Sequence, residues 1–220
     1  TRCFYTKSTK LLRNSEMQAI LLERMFSEAM RMYKMCKTEQ SAARQRKLER
    51  GLLSAMSIHQ YDEISVSDLC DQMGIPRKSF YRYFSSKDGA LHAMIDHILM
   101  EFEGISVMTG KGINRTMSED MEDFFAHWIQ HKDLLDVLEK SNLSGILIER
   151  AIFHAVQEKI LPSVFFPEDS MEMQNYITTF GVCGLMSMVV TWHHQGFRKS
   201  AQEMGIIAAR TLGKPLFPNT

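Results

Sequence analysis

The chain has 220 residues, 45% of them hydrophobic, with 26 Lys/Arg against 26 Asp/Glu and 4 cysteines. That length supports one large domain, or a small domain with a larger one. No apolar run approaches the roughly 20 residues of a membrane helix, no signal-peptide core opens the chain, and the cysteines form no C-x-x-C pair, so a cytoplasmic protein with reduced thiols is expected. Charge is divided: residues 1–90 hold 16 Lys/Arg against 10 Asp/Glu and residues 91–220 hold 10 against 16, giving +6 and −6. Such a split suits a polyanion-binding head on a body that stays off the polyanion.

In chain order, helical spacing dominates and no alternating strand stands out, so an all-α chain is predicted. Met17, Ile20, Leu21, Met25, Phe26, Ala29, Met32 and Met35 form a stripe on a helix predicted over 14–37, which also carries Arg31, Lys34 and Lys37. Three readings of it stay open: an accessory helix packed on head or body, a basic arm touching DNA, or upstream sequence brought in by a mis-called start, the first residue being Thr. The accessory helix is the one expected. A helix over 42–60 follows, then a pair over 65–73 and 76–84. In the first of the pair Val66, Leu69, Cys70 and Met73 share a face, and Ser65 with Asp68 reads as a capping box. Gly74 supplies a left-handed helix end, and Pro76 suits the first turn of the next helix. This is helix-turn-helix grammar.

A second capping pair, Ser85 with Asp88, introduces a helix from Lys87 to about Glu103. After a loop over 104–115, Ser118-Glu119-Asp120 opens a helix to about His131, its acidic first turn suiting the helix dipole. Further helices are predicted over 133–141, 144–161, 170–195 and 200–212, the last two capped by Asp169 with Glu172 and Ser200 with Glu203. The expected domains are an N-terminal extension over 1–40, a three-helix helix-turn-helix head over 41–88, and a larger helical body over 89–220.

The second helix of the pair carries chemistry suited to a DNA groove. Arg77 and Lys78 sit at its N-terminal end, where a recognition helix meets guanine edges or phosphates. Ser79 can reach either acceptor. Tyr81 and Tyr83 place hydroxyls on stiff rings for phosphates, although Tyr83 reads equally well as a half-buried core residue. Ser65 offers a hydroxyl and a helix N-terminus to a phosphate, and Lys87 is a candidate phosphate clamp. Phe80 and Phe84 are expected in the core.

The run Gly74-Ile75-Pro76-Arg77-Lys78-Ser79-Phe80-Tyr81-Arg82-Tyr83-Phe84-Ser85-Ser86-Lys87-Asp88 joins a Gly-apolar turn, a small hydroxyl before aromatic-Tyr, a further Phe and a Lys-Asp helix start. With Arg46 to Glu103 around it, this resembles the DNA-binding head of the TetR/AcrR family of bacterial transcriptional regulators. The resemblance implies that Tyr81 contacts phosphate, and that the cations Arg44, Arg46, Lys47 and Arg50 contact the DNA backbone; a solvated basic face explains these four nearly as well. It also implies that the last two long helices form a four-helix dimer interface. Gly181, Gly184 and Ser187 give a small-residue strip there, with Met188 beside it, and a dimer reading a palindrome roughly doubles the contacts of one short head.

The body offers aromatics and methionines at helical spacing: Met121, Phe124, Phe125, Trp128, Phe153, Met173, Tyr176, Phe180, Met186 and Met188. Their default reading is core. An effector pocket would be drawn from the same population, with Phe124, Trp128, Phe153, His154, Tyr176 and Phe180 as candidates. Catalytic signatures are absent: the sequence has no H-E-x-x-H, no G-x-S-x-G, and Gly110-Lys111-Gly112 sits in no phosphate loop. No enzyme activity, cofactor or metal is expected. The function expected is that of a homodimeric repressor, released from a palindromic double-stranded DNA operator by a small-molecule effector, with no membrane partner. The alternative is a constitutive DNA-binding or protein-interaction module without effector.

Overall fold

The computed structural model describes residues 32–34, 36, 38–108, 115–158 and 171–213. Among them are nine α-helices: α1 Glu39–Ile58, α2 Val66–Met73, α3 Arg77–Tyr81, α4 Lys87–Met108, α5 Met117–Gln130, α6 Lys132–Lys140, α7 Ser144–Glu158, α8 Met171–His194 and α9 Ala201–Leu212. A short 3-10 turn, Tyr61–Glu63, lies between α1 and α2. The only extended pairing among the described residues is an isolated bridge, Tyr33 to Phe84. The fold is all-α, as expected. Most of the stripe over 14–37 and the Asp169–Glu172 pair lie outside the described residues.

The chain divides into two compact units. One takes residues up to Gly51 together with Ser65–Ala93, and the other takes Leu52–Ile64 together with Met94 onward. The division thus falls inside α1 and α4 rather than in a linker.

Local rules explain most helix ends. Thr116, rather than the Ser118 segment, starts α5: its hydroxyl accepts from the Glu119 amide at 3.3 Å, and the Glu119 carboxylate accepts from the Thr116 amide at 2.7 Å. These bonds favour the charged form and hold the Glu119 carboxyl below its ordinary range. Ser200 and Glu203 repeat the reciprocal box at α9. The end of α8 closes with the paired bonds of a Schellman turn, Gly196 N–H to His193 O at 2.7 Å and Phe197 N–H to Trp192 O at 3.0 Å, with Gly196 at φ 70°.

In the second unit α9 packs on α5, and α8 packs on α7 and α6. Phe125, Trp128 and Trp192 are fully buried, and Phe125 meets Trp192 edge-to-face with centroids 5.4 Å apart. A Cβ at Gly205 of α9 would lie 2.7 Å from the Ser118 carbonyl oxygen and 2.8 Å from the Glu122 nitrogen. Both are backbone atoms of the segment packed against it, so neither can rotate aside. Gly205→Ala is therefore expected to cost about 1–3 kcal/mol, the usual penalty of overpacking. Chemical denaturation checks this, and an unchanged midpoint would contradict the close approach.

Polar contacts tie the second unit together. The buried Asp96 of α4 and Arg150 of α7 meet fork to fork, Nε to Oδ1 at 2.8 Å and Nη2 to Oδ2 at 2.5 Å. His127 is buried with Nε2 3.0 Å from the Ile98 carbonyl, and burial, helped by neighbouring His131, pushes its pKa down, so it is held neutral. The Lys140 ammonium at the end of α6 donates to the carbonyls of Met56 and Ser57, at 3.3 and 3.0 Å, and so satisfies the last turn of α1. On the same helix, Asp136 and Glu139 lie 2.8 and 3.0 Å from the two ring nitrogens of His193, and Glu139 also accepts from His194 at 2.5 Å.

Candidate nucleic-acid interface

The helix-turn-helix begins at Ser65, whose hydroxyl accepts from the Asp68 amide at 3.1 Å and donates to the Asp68 carboxylate at 2.5 Å. The aspartate thus bonds the capping hydroxyl where a capping-box glutamate reaches back to the cap's own amide. Leu69 and Cys70 turn inward and are fully buried. Burial also raises the Cys70 thiol, which stays protonated. Gly74 then adopts φ 64°, ψ 36°, and its amide bonds the Asp71 and Cys70 carbonyls. That left-handed residue swings the chain to Pro76, which stands at the N-cap of α3 in extended conformation.

The recognition helix is shorter than predicted. It spans Arg77–Tyr81, and residues 82–84 form a turn with Tyr83 N–H and Phe84 N–H both bonded to the Phe80 carbonyl. Phe80 and Phe84 are the buried anchors, with centroids 5.2 Å apart. Their burial fixes which side of α3 faces outward. Arg77, Lys78 and Arg82 are exposed, Ser79 is half-buried, and Tyr81 is 52% exposed although its ring edge rests on Phe80. A half-exposed tyrosine in a short segment with three exposed cations suits an anionic partner. Residues 74–87 hold four cations, Arg77, Lys78, Arg82 and Lys87, and no carboxylate.

Tyr83 is corrected: at 7% exposure it belongs to the head's core beside Phe84, because the short turn after α3 rolls it inward. Lys87 and Arg46 are half-buried, while Ser65, Arg44, Lys47 and Arg50 are exposed. Arg82 is the cation that sequence reasoning passed over; its signal was the basic run itself. Ser85 does not cap α4. That role falls to Ser86, whose hydroxyl accepts from the Gly89 amide at 3.0 Å, while the Ser85 hydroxyl donates to the Met32 carbonyl at 3.0 Å.

The six effector candidates in the body differ in exposure. Phe124 and Trp128 are buried in edge-to-face contact with each other, and Phe153 lies half-buried under the Arg150 guanidinium at 4.6 Å. His154 is half-buried on the same helix, whereas Tyr176 and Phe180 stand 51% and 66% exposed on α8. Helical periodicity marked the apolar faces correctly but not which of them another helix covers. Two open clefts lie elsewhere in this unit. One of about 400 Å³ is lined by Glu139, Asn142, Ser144, Val190, Thr191 and His194, and another of about 330 Å³ by Ser187, Met188, Trp192, Lys199, Met204 and Ile207. Of the strip proposed for dimerisation, Gly181 and Met188 are half-buried and Gly184 is exposed, with open space beyond it. No group of three or more His, Cys, Asp or Glu among the described residues is arranged to hold a metal ion. No helix among them is long and apolar enough to cross a membrane.

Residues 54–94, from the end of α1 through the recognition helix into α4, match the sequence model of the bacterial regulatory proteins of the tetR family. In that segment the chain is similar to TetR-family regulators. Solved structures agree at the level of fold. The fatty acid degradation regulator FadR from Bacillus halodurans superposes with a TM-score of 0.53 at 14% identity, over 83% of this chain and 98% of that one. The dihydroxyacetone kinase operon activator DhaS superposes with a TM-score of 0.50 at 14% identity, over 77% and 93%. No curated protein sequence matches the chain. The sequence likeness thus covers the helix-turn-helix segment, and over the rest of the chain the likeness is one of fold.

Proposed function

We propose that the chain is a TetR-family regulator, acting as a homodimer on a palindromic operator and as a repressor released by a small-molecule effector. The observation that carries the DNA half is the outward face of α3, where Arg77, Lys78, Arg82 and Tyr81 surround a helix held by buried Phe80 and Phe84. Within it Arg77, Lys78 and Ser79 read base edges and nearby phosphates, and Tyr81, Ser65, Lys87 and Arg46 position the backbone.

Dimerisation is supported by an apolar face that a solvated monomer has little reason to keep. Met173, Tyr176 and Phe180 of α8 and Ile206 and Leu212 of α9 are between 44% and 66% exposed. Together with the open strip at Gly181, Gly184 and Met188, they offer a self-complementary surface of the kind a twofold interface uses. Phe180→Glu is expected to convert the dimer to a monomer in sedimentation velocity without lowering the helical content. A monomeric parent chain would overturn this part.

Effector control is supported by the chain of contacts running from α8 through Glu139 of α6 to Lys140 on the last carbonyls of α1. Glu139 and His194 line the larger cleft, so a ligand there competes directly for those contacts. Release follows if the ligand binds the arrangement that does not grip DNA more tightly than the one that does. Genomic footprinting of the tagged protein tests the whole reading: enrichment over palindromic sites, lost on adding the effector class found by a thermal-shift screen, is expected. Enrichment unchanged by any ligand would favour the constitutive module.

A further inference from the structure

The chain before α1 is tied to the recognition element. Tyr33 pairs with Phe84, the Lys34 amide donates to the Tyr83 carbonyl at 2.9 Å, and the Met32 carbonyl accepts from both the Ser85 amide at 2.9 Å and the Ser85 hydroxyl at 3.0 Å. The fit is close enough to dictate a residue type: a Cβ on Gly89 would lie 2.1 Å from the Met32 carbonyl oxygen. Only glycine admits the strap there. Farther along, Cys36 Sγ lies 2.8 Å from Gln45 Oε1 of α1, a second contact with the head.

We propose that this strap is part of the DNA interface, and that Lys34 is an additional contact to the sugar-phosphate backbone, held beside the recognition helix. The inference rests on the reading of α3 as the DNA-facing helix and extends it. Lys34 is exposed, while the bridge partner of its neighbour Tyr33, Phe84, is 1% exposed, so one flank of the strap meets the core and the lysine leaves from the other. The backbone from which it springs is bonded to residue 83, two residues past the exposed Tyr81 and four before Lys87. Lys34 thus joins Arg82 and Lys87 around a turn whose first carboxylate is Asp88. A lysine has no planar fork to select a base, so its partner is phosphate rather than a base edge. Because the main chain is pinned, less ordering is lost on binding than for a free basic arm.

The test uses the full chain and a footprinted operator duplex, with affinity measured by fluorescence anisotropy between about 50 and 200 mM salt. Lys34→Ala is expected to weaken binding about threefold to tenfold per head, and to flatten the plot of log affinity against log salt by about 0.9 per head, with no change in preference among operator variants. Lys34→Glu should weaken it further. Gly89→Ala, checked for retained helicity by circular dichroism, should expel the strap and reproduce the loss seen with Lys34→Ala. Wild-type affinity and slope in both Lys34 variants, with binding still lost in Arg77→Ala/Tyr81→Ala, would overturn the strap alone. Wild-type binding in that double variant as well would overturn the DNA-facing reading of α3, and the strap contact with it.

Discussion

Alanine at both Arg77 and Tyr81 is expected to lower operator affinity at least about a hundredfold and to leave the thermal midpoint nearly unchanged. The size follows from what each side chain can do. A bidentate arginine-guanine pair discriminates by about 1–3 kcal/mol, and a hydroxyl bonded to a charged acceptor contributes about 1.5–3 kcal/mol. Each 1.4 kcal/mol is about tenfold in affinity, and a twofold complex loses both copies. The silence in stability follows from exposure: Arg77 is exposed, and Tyr81 leaves half its surface in solvent, whereas Phe80 and Phe84 carry the packing of this element. Phe80→Ala would reduce DNA binding too, but by unfolding the head. Only the Arg77/Tyr81 variant separates reading from folding. Loss of binding accompanied by a collapsed midpoint would place these residues in the core and contradict the interface described.

The largest effect on stability belongs to the Asp96–Arg150 pair. Asp96 is 2% and Arg150 6% exposed, and the two carboxylate oxygens meet two guanidinium nitrogens in parallel. Asp96→Ala leaves a buried guanidinium without its counter-charge, at a cost of about 3–5 kcal/mol. For a chain of this size that lowers the melting temperature by roughly 6–20 °C. Removing both charges is a different experiment. Asp96→Leu with Arg150→Met replaces the pair by apolar side chains, and is expected to recover most of the loss or to exceed the parent, since desolvation offsets much of the attraction of a buried pair. Calorimetry on the three chains decides it. A single variant as stable as the parent would mean that the pair holds nothing together. Because the pair joins α4 to α7, the double variant also asks whether the charges serve regulation: operator affinity retained with effector response lost would assign them that role.

Most helices were legible because their signals are local. The stripe Val66, Leu69, Cys70, Met73 and the stop at Gly74 depend on neighbours within a turn, and Ser200 with Glu203 capped as read. Thr116 with Glu119 carried the same signature and was passed over for the acidic run at Ser118. What escaped was set by partners distant in sequence. Ser85 forms a good capping pair with Asp88 by spacing, yet its hydroxyl is claimed by a carbonyl 53 residues earlier. Asp96 and Arg150 are 54 residues apart, and Lys140 bonds carbonyls more than 80 residues back. The outward residues of α3 were readable because their exposure follows from two aromatic anchors in one short helix. The exposure of the body's aromatics was not: Trp128 and Phe180 both stand on helical faces, and only packing leaves one at 1% and the other at 66% exposure.

The measurement closest to the central claim is the salt dependence of operator binding by the 220-residue chain. If the outward face of α3 grips DNA through Arg77, Lys78, Tyr81 and their neighbours, log affinity falls linearly with log salt, with a slope of about −0.9 for each phosphate neutralised. A dimer of such heads should show a slope of several units, reduced in the Arg77→Ala/Tyr81→Ala chain. A flat response, or a slope that the substitutions leave untouched, would contradict the account.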